Sequence, residues 1–241
     1  MSSTGNKNIV LVMGKPNSGK STSLRNLANQ DKMVYFNTDL KELPFRDRFL
    51  ANVEIADAMD IIGYINEVEA NPQAEGAVLD TITFLMSMYE RQYVVGAADG
   101  RAAWGEYGNF YRDFIHTIKA GTKDYAILAH EDNFLNEQTM QMESRVPVKG
   151  SVGRTGVEAD FTTILSAKEL PIKALEGHEN DLLHITDEER EDGVKRVFCT
   201  RITEAYRGEK MRSAMDLWSR KELYIDNDLD QVFKRLREYY A

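Results

Sequence analysis

Residues Asn8–Ser21 read NIVLVMGKPNSGKS. The first six, Asn8–Met13, are an almost unbroken apolar run that stops at Gly14, as in a strand covered on both faces. Gly14, Lys15, Pro16, Asn17, Ser18, Gly19, Lys20 and Ser21 then match the pattern G-x-x-x-x-G-K-[ST]. Glycines let such a loop close round a phosphate with its N–H groups, and a helix start behind it adds a favourable potential. The spacing predicts that helix over Gly19–Asn29, with Leu24, Leu27 and Ala28 on one face. Lys20 is the expected ligand of the β- and γ-phosphates and the Ser21 hydroxyl the expected magnesium ligand. Thr22 and Ser23 are equal candidates by residue type for the α-phosphate. The competing explanation is a chance glycine turn. A buried strand before it and a helical stretch after it argue against chance.

Working outward, strand-length apolar runs alternate with helix-period stretches. Met33–Phe36, Gly76–Asp80, Asp124–His130, Phe161–Ala167 and Val194–Ile202 read as strands. Asp57–Glu69 carries Met59, Ile62, Ile65 and Val68 at helical spacing and ends at Asn71-Pro72. Thr81–Val95 is a second helix, and Gly96–Arg101 a glycine- and alanine-rich break. Trp104, Tyr107, Phe110, Tyr111 and Phe114 recur at three- and four-residue spacing. That stripe is read as the core face of a helix, in preference to a stacking platform for bases. Glu131–Asp160 is expected to be long and irregular, and acidic Asp187–Asp192 to be a solvated hairpin tip, not a metal site. Asp228 is placed to cap a last helix, Leu229–Tyr240. The expected fold is α/β: a mostly parallel sheet with helices on both faces, a late β-hairpin and a C-terminal helix, in one domain over residues 1–241.

Composition narrows the function. Of the 241 residues, 42% are hydrophobic and 29% charged, proportions of an ordinary globular protein. The apolar runs are too short to cross a membrane. Cys199 is the one cysteine, which excludes a disulfide framework and a cysteine zinc site and fits a reducing cytosol. The net charge of −9 is uneven: residues 1–50 carry eight basic and four acidic groups, and 51–125 carry five and twelve. An acidic total argues against a broad DNA-binding surface and leaves room for a local basic loop.

A phosphate-loop site needs a second acidic group near its magnesium, and Asp80 ends the run Ala77-Val-Leu-Asp80. A strand's carboxyl end lies on the ligand edge of an open α/β sheet. The alternative role for Asp80 is to cap the following helix. Asp39 and Glu42 follow the second strand as candidates to position water, against a plain surface loop. His130, ending its own strand, is a candidate to sense the γ-phosphate, against a structural histidine.

The segments GKPNSGKS, NTDLKELPF, AVLDTIT and ILAHE together resemble RecA-like ATPases. With VKGSVGRTGVEADFTTIL, VFCTRITEAYRGEKMR and LYIDNDLDQVFKRL, the chain most resembles the small phage-encoded RecA-core proteins counted among single-strand-annealing recombination proteins. The resemblance runs from about Asn8 to the end. It implies a magnesium-dependent ATPase acting on single-stranded DNA in the host cytoplasm. It implies water activation at Asp39, where glutamate is usual, with Glu42 in reserve. It implies that His130, where glutamine is frequent, links nucleotide state to a DNA loop. Arg201, Lys210 and Arg212 are the candidates to complete a neighbouring subunit's site, against plain exposed charges. Gly96–Gly105 and Glu131–Asp160 match the DNA loops. In the second, Arg145, Lys149 and Arg154 are the candidate contacts, against a nucleotide lid or a subunit contact. A homo-oligomer and phage or host replication and recombination proteins are the implied partners. Only seven residues precede Asn8, so the N-terminal hook of RecA-like filaments is not expected, and assembly would use another surface.

Two further readings remain at this point. One is a nucleotide-gated binding module with little turnover, given weight by the missing glutamate. The other is a phosphate-loop kinase with a small-molecule acceptor, although Glu131–Asp160 shows no arginine-bearing lid. No N-K-x-D guanine motif is present, which disfavours a GTPase.

Overall fold

The computed structural model describes residues 5–138 and 140–241. Strand β1 (Ile9–Gly14) leads into the phosphate loop, followed by β2 (Met33–Asn37) and β3 (Ala51–Glu54). Helix α1 (Asp60–Ala70), β4 (Gly76–Asp80), α2 (Ile82–Tyr89) and α3 (Gly100–Ala120) come next. Strand β5 (Asp124–His130) precedes a separate hairpin, β6 (Asp132–Asn136) with β7 (Gln141–Arg145), and a short α4 (Gly150–Thr155). The chain closes with β8 (Thr163–Pro171), α5 (Asp187–Asp192), β9 (Val194–Cys199), β10 (Tyr224–Asp226) and α6 (Leu229–Tyr240). The main sheet has eight strands in the order β10-β9-β8-β1-β5-β4-β2-β3. Six of them, β8 to β3, run parallel, and β9 is antiparallel to both β8 and β10. The fold is therefore α/β with a mostly parallel sheet, as the alternation of elements requires.

Alternate residues of each central strand enter opposite cores, because side chains of a strand alternate in direction. Leu11, Phe36, Leu79 and Ile127 pack with α1, α2 and α3. Val10, Val12, Val78 and Leu128 pack with Leu229, Val232, Phe233 and Leu236 of α6 on the other face. Each such fully buried side chain contributes about 1.5–3 kcal/mol of transfer free energy. The aromatic stripe of α3 is a core face: Tyr107, Phe110, Tyr111 and Phe114 are buried and Trp104 is partly so. Asp228 caps α6 by accepting from the Asp230 amide.

Four expectations need correction. First, the helix over Gly19–Asn29 is only a 3₁₀ turn, Ser21–Leu24. Groups elsewhere take the backbone partners a longer helix would use. The Ala28 amide donates to Asp230 Oδ1 at 3.0 Å, and Gln30 Nε2 donates to the Leu24 carbonyl at 2.9 Å. Second, Gly100–Gly105 is the start of α3, because Asp99 caps it by accepting from the Ala102 amide. Third, Glu131–Asp160 is not irregular but holds β6, β7 and α4. Fourth, Asp187–Asp192 is a capped helical turn, with Thr186 and Glu189 forming a reciprocal capping box. Among the described residues no helix is long and apolar enough to cross a membrane, and no cluster of three His, Cys, Asp or Glu could hold a metal.

Candidate nucleotide site

The loop after β1 is curled by two left-handed residues, Asn17 (φ 64°) and Gly19 (φ 95°), before Lys20 returns to helical angles. Such alternation turns successive amides inward, the geometry of an anion-binding nest. Space explains the glycines: a Cβ on Gly14 would lie 2.3 Å from Ser18 Oγ and 2.9 Å from the Ala167 carbonyl. On Gly19 it would lie 2.7 Å from Arg196 Cδ and 3.0 Å from Asn227 Oδ1.

Lys20 is only 6% exposed. Its ammonium donates to the Gly14 carbonyl at 2.9 Å and the Lys15 carbonyl at 3.0 Å. An ammonium has three donors, so one remains for an anion. Burial pulls the Lys20 pKa down, opposed by the charges of Asp80 and Glu131. Ser21 donates to Asp80 Oδ2 at 2.6 Å, and the same oxygen accepts from Tyr35 at 2.9 Å. Burial first, then the Asp80 carboxylate, pushes the Tyr35 phenol far above its ordinary value, so it remains a donor. Asp80 does not cap α2; Thr81 does, accepting from the Phe84 amide. Thr38 fastens β2 to this corner, donating to the Asp80 and Thr81 carbonyls and accepting from the Thr81 amide. The Asp80–Thr81 peptide is cis.

Lys20, Ser21, Tyr35, Asp80 and Thr81 line a cavity of about 340 Å³ with Pro16, Asn17, Asp39, Glu42 and His130, and Thr38 braces it from behind the lining. Asp39 is ion-paired to Lys41 at 2.8 Å, whereas Glu42 is exposed. His130 packs edge-on to Phe84, ring centroids 5.1 Å apart, and its amide is held by Thr83 Oγ1. Burial, and next the charge of Lys20, lower the His130 pKa, which keeps the ring neutral at neutral pH. Thr22, not Ser23, faces the cavity; Ser23 is fully buried and donates to the Lys20 carbonyl at 2.6 Å. A second cavity of about 420 Å³ adjoins on the β9–β10 side and shares Thr22 and Arg196 with the first. The hydroxyl of Ser21 and the carboxylate of Asp80 are hard oxygen donors of the kind magnesium takes, and the nest with Lys20 is built for a phosphate. The residues present thus fit a magnesium nucleotide.

Other sequence-chosen residues lie elsewhere. Arg201, Lys210 and Arg212 do not line either cavity. Lys210 is paired with Glu143 of β7 at 2.7 Å, and the Arg212 guanidinium donates to the Phe161 carbonyl at 3.4 Å. Arg145 lies over the Phe134 ring within the hairpin, and Lys149 pairs with Glu90 at 2.8 Å. Arg154 is exposed on α4. Tyr35, Thr38 and Arg196 are among the side chains that the linear sequence does not single out. Tyr35 sits inside an apolar strand, and Arg196 is on β9, far along the chain from the loop it touches.

A family model described as an AAA domain matches residues 6–213. No curated protein matches the chain. Among solved structures, the chain is similar to the RadB recombinase, with 14% identity over 70% of this chain and 77% of that one, at a TM-score of 0.43. It is also similar to a KaiC-like protein from the hyperthermophilic archaeon Pyrococcus horikoshii OT3, with 12% identity over 84% and 82% and a TM-score of 0.43. Likeness at that level assigns no role to any residue.

Proposed function

The chain belongs to the AAA domain family, whose phosphate-loop members bind nucleotide and are generally ATPases, and from that premise we propose a magnesium-dependent, RecA-like ATPase of one domain acting on single-stranded DNA in recombination or annealing. The observation that carries the nucleotide part is the 2.6 Å contact of Ser21 with Asp80 beside the buried Lys20. In this reading the loop amides and Lys20 hold the phosphates, Thr22 the α-phosphate end, and Ser21 and Asp80 the magnesium. The ion supplies charge neutralisation to the β- and γ-phosphates when bound. Asp39 orients the attacking water, with Glu42 in reserve, and neutral His130 offers a hydrogen bond to the γ-phosphate.

The DNA part rests on a physical route from that histidine. His130 packs on Phe84 of α2, and the turn after α2 carries Glu90, which pairs with Lys149 beside α4. A change at the γ-phosphate edge thereby reaches the segment holding Arg145, Lys149 and Arg154. Those cations contact backbone phosphates in this reading, where strand affinity is largely electrostatic. A homo-oligomer and phage or host replication proteins are the partners such an activity would use.

A second reading has one observation in its favour. Asp39 is engaged by Lys41 and no glutamate follows β2 until the exposed Glu42, which suits a nucleotide-gated binder with little turnover. The deciding experiment is ATP hydrolysis with magnesium, with and without single-stranded DNA, beside Lys20→Ala. DNA-stimulated turnover that vanishes in the variant supports the ATPase. Tight nucleotide binding and nucleotide-dependent DNA binding without turnover support the switch, and nucleotide binding with neither overturns the DNA role.

A further inference from the structure

We propose that Arg196 is a ligand of the nucleotide's α- and β-phosphates, supplied by β9 of the same chain; the inference rests on the nucleotide-site reading above. Three observations lead to it. Among the described residues, Thr22 and Arg196 are the two that line both the 340 Å³ cavity at the phosphate loop and the 420 Å³ cavity beside it. Arg196 Cδ lies where a Cβ on Gly19 would be only 2.7 Å away, so the side chain passes directly against the loop's second glycine. Among the described residues its guanidinium has one ion pair, a 3.3 Å Nε contact with Glu169, and both side chains remain well exposed, at 43% and 47%. A weak, solvated pair of that kind yields readily to a phosphate, which offers a guanidinium two oxygens in a matching fork.

The local backbone supplies the reason for such a cation. A phosphate loop ordinarily gains from the aligned peptide dipoles of the helix behind it. Here that helix is a single 3₁₀ turn, Ser21–Leu24. The aligned dipole is correspondingly short, and in the proposed site Lys20, whose charge acts on Asp80 and His130, serves the β–γ side. On the other side, toward Thr22 and the second cavity, Arg196 passes against Gly19 and also lines the first cavity, which Arg25 and Lys195 of the second do not. The three residues chosen from sequence to complete a neighbour's site face other parts of the molecule. Arg196 needs no neighbour.

The position predicts a distinctive pattern. A contact to the α- and β-phosphates is made equally to ADP and ATP, whereas a γ-phosphate contact would discriminate between them. Equilibrium dissociation constants for ADP and ATP, with magnesium, are to be measured by calorimetry on the full chain. The set is wild type, Arg196→Gln, Arg196→Lys, Glu169→Gln and Lys20→Ala, with thermal melts as the folding control. Arg196→Gln is expected to weaken ADP and ATP alike by about tenfold, the low end for a lost charge-assisted contact. Arg196→Lys is expected to recover part of that loss. Glu169→Gln frees the guanidinium and is expected to leave affinity unchanged or tighten it, and no affinity should depend on protein concentration.

If Arg196→Gln and Arg196→Lys bind ADP within about twofold of wild type while Lys20→Ala loses it, Arg196 is not a ligand and the nucleotide site stands. If Glu169→Gln weakens binding and melts early just as Arg196→Gln does, the pair is a structural brace and the proposal is overturned. If Lys20→Ala binds like wild type, the nucleotide-site reading itself fails and Arg196 falls with it.

Discussion

Two regions that meet at the carboxyl end of strand β5 are held together in opposite ways. On the phosphate-loop side, Lys20, Tyr35, Thr38 and Asp80 are buried and bonded to one another or to backbone carbonyls. Beyond His130, the β6–β7 hairpin is mostly exposed and leans on the body through Lys210–Glu143, one backbone bond from Ser144 to Gly208, and the burial of Ser144. Buried polar networks in a low dielectric are stiff, while part-exposed ion pairs are worth little and are screened by salt. The difference separates a pre-organised chemical edge from a compliant arm beside it. The proposed function assigns nucleotide chemistry to the first region and strand binding to the second.

The largest effects should fall on the stiff edge. Lys20→Ala is expected to lower ATP turnover by at least about 100-fold, since the proposed mechanism uses this buried cation to stabilise developing charge. Asp80→Asn should cost about as much and raise the magnesium concentration needed for half-maximal rate, read by steady-state assays over a magnesium series. Were either variant to retain near-normal turnover, the chemistry would lie elsewhere and the contrast would collapse.

Smaller effects sharpen the contrast. Tyr35→Phe deletes one of the two hydroxyl donors to Asp80 and should cost about 1 kcal/mol of stability by urea unfolding, with the fold intact. His130 gives a signed pH test. Its folded pKa lies below the 6.5 of a free imidazole, because of burial and then Lys20, with Asp80 and Asp39 opposing. The unfolded chain therefore takes the proton first, so stability falls as pH drops from 6.5 toward the folded value and is unaffected by this group above 6.5. Thermal melts between about pH 5 and 7 should show a shallower decline for His130→Gln than for wild type.

On the arm, Lys210→Ala should change stability by less than about 1 kcal/mol and leave DNA-free turnover unaltered. Arg145→Ala should weaken single-strand binding a few-fold and reduce the salt dependence by about one phosphate contact. A large loss of stability on removing Lys210 would show the hairpin to be as firmly built as the edge.

What the sequence discloses follows the same division. The strand, loop, Lys20 and Ser21 are contiguous, and Asp80 ends a plain apolar run, so local pattern sufficed for them. The core stripe of α3 and the cap at Asp228 were equally local. The helix expected after the loop is cut short by Asp230 and Gln30, which act from outside the local pattern or through a side chain that periodicity ignores. The hairpin was hidden because DNFLN and QMESR are polar and mostly solvent-facing, without the alternation that marks a half-buried strand. Arg196 carried no signal at all, since only the order of β9, β8 and β1 in the sheet brings it to Gly19.

The most direct test of a stiff edge driving a compliant arm is the affinity of a fluorescent single-stranded oligonucleotide by anisotropy. It should be measured without nucleotide, with ADP and with a non-hydrolysable ATP analogue, for wild type and His130→Ala. The expected result is an affinity that differs between the ATP-analogue and ADP states in wild type and becomes equal in the variant. An affinity that is the same in all nucleotide states of the wild-type protein would contradict it.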